Sequence, residues 1–155
     1  MKTRREVLRQ GAAVASLLMA AGLLPPFARA QAAAWNSAAF ESKSIADLMK
    51  ALGASAPTES KDVTITGPDI AENGAVVPLG AASTLPGVKR LMLLVEKNPN
   101  VLSAMFDISE AVEPSINTRV KMSQSSDVYA VAMMNDGRVL YAAKEVKVTL
   151  GGCGG

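Results

Sequence analysis

A chain of 155 residues with 16 basic and 14 acidic side chains, 49% hydrophobic and 4% aromatic residues has the composition of an ordinary folded protein. One cysteine excludes an internal disulfide and a thiolate cluster, and the lack of histidine excludes His-based triads and His-containing metal sites. The formal charge of +2 is small, and beyond the first thirty residues, where the balance is −2, there is no Lys/Arg cluster and no interleaving aromatics to give a nucleic-acid footprint.

The first thirty residues read as a targeting segment. Thr3-Arg4-Arg5-Glu6-Val7-Leu8-Arg9 is close to a twin-arginine export signal, with Val7 where Phe is more usual. A weakly apolar stretch from Gly11 to Leu24 follows, then Pro25-Pro26 and the small residues Ala28 and Ala30, which suit signal-peptidase cleavage after Ala30. Ala30-Gln31-Ala32 offers a second frame. The apolar core is shorter than the roughly 20 residues that span a bilayer, so stable membrane insertion is not expected. Residues 1–30 hold five basic side chains against Glu6, which leaves 11 basic and 13 acidic, or −2, in the rest. The basicity belongs to the signal. About 125 remaining residues suit one modest hydrophobic core.

Residues 31–60 form a lead-in with a short helix near 38–52, in one piece or two. Ser44 is its expected N-cap with Asp47 at the third helical position; Ile45, Leu48, Met49 and Leu52 share a face, and Gly53 supplies the stop. Residues 61–150 change character. Val63 and Ile65 mark one strand, Val76 and Leu79 another, with Asn73-Gly74 expected at a positive-φ turn between them. Residues 80–88, containing Gly80, Pro86 and Gly87, are expected to be a loop. Lys89–Glu96 and Val101–Ile108 pair across Lys97-Asn98-Pro99-Asn100; Thr118–Met122 and Val128–Met134 follow. Asp136-Gly137 predicts a primed two-residue hairpin turn into Val139-Leu140-Tyr141. In the closing strand Val146, Val148 and Leu150 alternate with Lys147 and Thr149. Seven or eight short strands predict an antiparallel β-sandwich, which periodicity alone does not separate from a small barrel. Met92, Leu93, Leu94, Met105 and Phe106 suit either a subunit interface or the sandwich core.

Past Leu150 stands Gly151-Gly152-Cys153-Gly154-Gly155. Four glycines are expensive to order and pack no side chains, so the segment is expected to be mobile and to reach outward, about 17 Å if extended. A free thiol in an oxidising compartment reacts, so Cys153 calls for an explanation. A frayed end, a buried structural cysteine, an intermolecular disulfide and a reactive thiol are the alternatives. No Lys, Arg or His flanks Cys153 to activate it, which suits a group acted on by other proteins rather than a self-contained catalyst. No catalytic residue, metal or cofactor is expected in the chain.

With the signal at Arg4-Arg5, the segment Ile70-Ala71-Glu72-Asn73-Gly74-Ala75-Val76-Val77-Pro78 and the glycine-cysteine tail together, the chain closely resembles the SoxY family. These are the sulfur-carrier subunits of the periplasmic thiosulfate-oxidising (Sox) system. The resemblance implies an immunoglobulin-like domain, a heterodimer with a signal-less β subunit of the SoxZ type, and export of the folded pair to the periplasm. It implies that Cys153 carries sulfur covalently as S-thiosulfonate and persulfide adducts, with Gly151, Gly152, Gly154 and Gly155 as its arm. The transient partners implied are the SoxAX cytochrome complex, the SoxB hydrolase and the SoxCD sulfane dehydrogenase. Two rivals stand beside it: an exported structural or interaction protein dimerised through a Cys153 disulfide, and a ubiquitin-like carrier activated at Gly155. The rival at Gly155 needs cytoplasmic adenylation, against which the export signal counts.

Overall fold

The computed structural model describes residues 3–6 and 36–151. By its contacts the chain divides into two units, Met1–Trp35 and Asn36–Gly155. In the first, residues 4–6 are helical. Thr3 and Glu6 cap each other there: the Glu6 amide donates to Thr3 Oγ1 (3.4 Å) and the Thr3 amide to Glu6 Oε2 (2.9 Å). The rest of the expected signal, Gly11–Leu24 and Ala28–Ala30, lies outside the described residues.

The second unit is an immunoglobulin-like β-sandwich preceded by two short helices, α1 (Ser37–Phe40) and α2 (Ile45–Ala51). Its strands are β1 (Thr58–Glu59), β2 (Val63–Thr66), β3 (Ile70–Ala71), β4 (Val77–Ser83), β5 (Val88–Val95), β6 (Leu102–Asp107), β7 (Ser115–Val120), β8 (Ser126–Met134) and β9 (Val139–Val148). One sheet runs β1-β9-β8-β5-β6, with β3 also on β9; the other is β2-β4-β7. All pairings are antiparallel except β1 and β3, which lie parallel to β9 at Thr58↔Leu140 and Ile70↔Lys147. These two-residue strands cover the outer edge of the long β9, which would otherwise offer free backbone groups to another chain.

Helix α2 begins and ends as its sequence predicts. The Ser44 hydroxyl accepts from the Asp47 amide at 3.1 Å. At the other end Gly53 sits at φ 62°, the Gly53 amide donates to Lys50 O and the Ala54 amide to Met49 O, which is a Schellman stop.

Strand β5 organises the interior, because Leu91 to Val95 are fully buried. Leu91, Leu93 and Val95 enter the core between the sheets with Leu79, Val120, Met122 and Val146. Met92 and Leu94 point the other way, into a second cluster with Leu48, Met49 and Val131 beneath the helices. The alternation of one strand thus fills two cores. Of the five residues considered for a subunit interface, Met92, Leu93 and Leu94 are therefore interior; only Met105 and Phe106 on β6 are partly exposed.

Three expectations are corrected. Residues 80–88 are not one loop, because β4 continues through Ser83. Gly80 there is a packing residue: a Cβ would collide with Asn117 Oδ1 and Thr66 Oγ1 and lie 3.1 Å from Ile116 O. The final hairpin is not a primed two-residue turn. Its last ladder pair is Met133↔Val139, the Gly137 amide donates to Met134 O, and Gly137 alone of the turn has positive φ (90°). That is the three-residue loop with a glycine bulge. Leu150, finally, does not continue the inward row of β9 but is 67% exposed, since the ladder stops at Val148.

Candidate functional site

The described chain reaches Gly151, so the site is built from what holds the root of the glycine-cysteine segment. Beyond Val148 the backbone leaves the sheet between two loops. On one side stand residues 72–75: the Thr149 amide donates to Ala71 O (3.1 Å), Thr149 Oγ1 to Glu72 O (2.9 Å), and the Gly74 amide to Leu150 O (2.7 Å). Gly74 O in turn accepts from the Met122 amide at 2.7 Å, which ties this loop to the one after β7.

On the other side stand residues 121–125. Ser125 Oγ accepts from the Val148 amide at 2.8 Å, and the Ser123 carbonyl lies where a Cβ on Gly151 would be. That loop is itself pinned to the turn between β5 and β6. Asn98 Nδ2 donates to Lys121 O (2.7 Å), while Asn98 Oδ1 accepts from the Ser123 amide (3.0 Å). The two loops are thus joined to each other by the main-chain bond at Gly74, and the second is pinned by the Asn98 side chain.

This arrangement explains the Ile70–Pro78 segment and corrects one reading of it. Asn73-Gly74 is not a positive-φ turn; among the described residues only Gly53, Gly87 and Gly137 have positive φ. Asn73 Oδ1 instead accepts from the Ala75 amide at 2.8 Å, folding the loop over its own backbone. Gly74 is buried with both its amide and its carbonyl engaged in the clamp. Upstream, Lys144 Nζ donates to Gly67 O (2.6 Å) and pairs with Asp69 Oδ1 (2.9 Å), which fixes the approach to β3. The ammonium of Lys144 holds the Asp69 carboxyl below its ordinary range.

Of the predicted site residues, Arg4 and Arg5 lie exposed in the short helical turn of the first unit. Gly151 lies at the clamp, where close approach to Ser123 leaves room only for hydrogen. Gly152, Cys153, Gly154 and Gly155 lie outside the described residues. Sequence reasoning missed Ser123, Ser125 and Asn98. The available signal was the polar run Ser123-Gln124-Ser125-Ser126 between two strands, whose short side chains bond readily to nearby backbone. Among the described residues no cluster of three potential metal ligands occurs, and no helix is long and apolar enough to cross a membrane.

The family model for sulfur oxidation protein SoxY matches residues 48–153, a span that runs from the second half of α2 through the clamp to Cys153. The chain is similar to the sulfur carrier protein SoxY from Chlorobium limicola f thiosulfatophilum, at 30% identity over 66% of this chain and 93% of that one, with a TM-score of 0.59. It shares its fold with the superoxide reductase (neelaredoxin) from Ignicoccus hospitalis, at 18% identity over 56% of this chain and 79% of that one, with a TM-score of 0.50. No curated protein matches the sequence. A match across most of the folded unit, together with a solved relative of the same family, leaves one assignment: the chain belongs to the SoxY family of sulfur oxidation proteins.

Proposed function

We propose that this protein is a covalent sulfur carrier of thiosulfate oxidation, with the Cys153 thiol as the attachment point and residues 151–155 as its arm. The observation that carries the reading is the family match running through Cys153, joined to a fold that invests several backbone bonds in the root of that segment. In this reading residues 1–30 are an export signal removed in the periplasm. Residues 31–60 are the lead-in, and 61–150 form the domain that presents the arm.

The chemistry is sulfur–sulfur bond formation at a thiolate. Thiolate and thiosulfate join to give the S-thiosulfonate, and the two electrons released pass to a SoxAX-type cytochrome complex. Water then attacks the terminal sulfone under a SoxB-type hydrolase, releasing sulfate and two protons and leaving the persulfide. Where a SoxCD-type dehydrogenase is present, that enzyme takes six electrons from the outer sulfur, three waters supply its oxygens and six protons leave. A second hydrolysis then returns the thiolate. The carrier itself needs no acid, base or metal for these steps. A SoxZ-type subunit completes the heterodimer.

Changing Cys153→Ser is expected to abolish thiosulfate-dependent turnover while fold and subunit binding stay intact, because an alcohol cannot form the sulfur–sulfur bond. Turnover is followed as cytochrome reduction in the reconstituted system, and adducts by intact mass with peptide mapping. Normal turnover by the serine variant would end the carrier reading. Adducts on Gly155 would favour the ubiquitin-like alternative, and a reducible dimer without any adduct would favour the structural one.

A further inference from the structure

Asn73 is the only asparagine of the chain that precedes a glycine, and it stands exposed at the head of the turn that clamps the strand exit. An Asn-Gly pair can react with itself: the glycine nitrogen attacks the side-chain Cγ, and a residue without Cβ leaves that approach open. The turn meets one half of what the reaction needs. The Ala75 amide donates to Asn73 Oδ1 at 2.8 Å, so the oxygen on which negative charge gathers during attack already has a donor. The Val76 amide closes the turn onto Asn73 O at 3.4 Å. The other half is withheld. The attacking nitrogen belongs to Gly74, which is buried, and its proton is committed to Leu150 O at 2.7 Å. A carbonyl oxygen is too weak a base to remove that proton. Gly74 O also accepts from the Met122 amide at 2.7 Å, so the residue is held on both sides of its Cα.

We propose that Asn73-Gly74 is a self-modification site, a deamidation site armed by Ala75 and latched by Leu150. Release starts at Leu150, which is 67% exposed and lies past the last ladder residue, Val148, so opening there costs far less than unfolding. Once the bond opens, solvent base takes the Gly74 amide proton and the nitrogen attacks Asn73 Cγ. The N–Cγ bond forms, the Cγ–Nδ2 bond breaks, and Nδ2 takes a proton from solvent and leaves as ammonia. The ring product is a succinimide, and no electrons change hands. Water opens the ring at Cγ to give aspartate, or at the main-chain carbonyl to give isoaspartate. Aspartate keeps an oxygen for the Ala75 amide. Isoaspartate carries the main chain through Cβ and adds a methylene before Gly74, so Gly74 no longer meets Leu150 and Met122 together. The latch, once isomerised, does not reclose. The inference concerns this turn alone and holds whether or not Cys153 carries sulfur.

In the test, the purified protein is incubated in mildly alkaline buffer, native and in denaturing urea. Peptide mapping follows position 73 as asparagine, aspartate and isoaspartate over time. Conversion in urea sets the rate of an unlatched pair, and native conversion is expected to be at least about tenfold slower. Gly151→Ala, which displaces the strand exit from Ser123, is expected to raise the native rate about tenfold, in step with exchange of the Gly74 amide hydrogen. Native conversion as fast as in denaturing urea overturns the latch. So does a Gly151→Ala variant whose Gly74 exchange rises without faster conversion. If that variant does not fold or does not open the clamp, the two rates are compared in the unmodified protein in urea below its unfolding midpoint. Conversion that fails to follow Gly74 exchange there overturns the latch. Absence of conversion at Asn73 in denaturing urea overturns the site itself. Asn73→Asp and the isolated isoaspartate form then separate the two products, with protection of Gly74 expected to be kept in the first and lost in the second. Equal protection in both overturns the loss of closure.

Discussion

Gly151 shows how much one missing Cβ decides here. The Ser123 carbonyl occupies the position a Cβ would take, and that carbonyl belongs to a backbone held by Asn98. Gly151→Ala is therefore expected to push the strand exit away from residues 121–125 and lengthen the bond from the Gly74 amide to Leu150 O. Hydrogen exchange at the Gly74 amide should accelerate at least about tenfold, with global stability reduced by no more than about 1–2 kcal/mol. Unchanged protection at Gly74 would show that the clamp does not depend on this glycine. A second residue sets a pH limit. Burial pushes the Tyr129 phenol up to about 12, aided by Glu96, whose Oε2 accepts its hydroxyl at 3.2 Å, and by Asp127. The unfolded chain ionises near the ordinary value of about 10, so the stabilising difference is intact below that pH and is lost as pH rises toward about 12. Thermal melts of the protein between those values should fall more steeply than those of Tyr129→Phe; parallel curves would refute the assignment.

Strand β4 is the element whose sequence is most constrained by its neighbours. Val77, Leu79 and Ala81 enter the core, while Gly80 faces outward between Thr66 on β2 and Asn117 on β7. Gly80→Val would place a branched side chain against two side-chain oxygens and the Ile116 carbonyl. A loss of about 1–3 kcal/mol is expected from overpacking, read as a shift of the urea midpoint at constant slope. An unshifted midpoint would mean that Thr66 and Asn117 turn aside without penalty. The β3 clamp has a different logic, because its two residues make little ladder of their own and depend on bonds from Lys147, Thr149 and Gly74 to hold the arm's root.

At the scale of the folded unit, two cores pack on either face of one sheet and the chain leaves it at a rim held by backbone bonds; in the proposed reading that rim presents Cys153. Rigidity at the root suits a carrier, since a fixed origin confines a short arm to a small volume and raises its effective concentration at a docked active site. Assembly is tested at the same scale. Co-expression with a SoxZ-type subunit is expected to give a soluble 1:1 complex by size exclusion with light scattering, whereas the mature chain alone should associate through exposed apolar surface. A stable monomer indifferent to such a subunit would contradict the heterodimer.

Much of this was legible in the chain itself. Alternating hydrophobics announced the strands, and Ser44 and Gly53 bounded α2 by local hydrogen bonding; the proposed chemistry of the glycine-flanked Cys153 is likewise read from the residue, because thiol reactivity is its own property. Local chemistry travels with the sequence. What the tertiary structure alone decided involves partners distant along the chain. Gly80 is a strand residue rather than a loop residue because Thr66 and Asn117 close on it, and Gly137 rather than a primed pair turns the last hairpin because the Met133↔Val139 register demands it. Asn73-Gly74 makes its turn without positive φ and serves also as a clamp, because the segments just past β9 and β7 bring Leu150 and the Met122 amide to Gly74. Each of those outcomes depends on which backbone groups remain unsatisfied once the sheets have formed, and pairing between remote segments is not written in the spacing of either one.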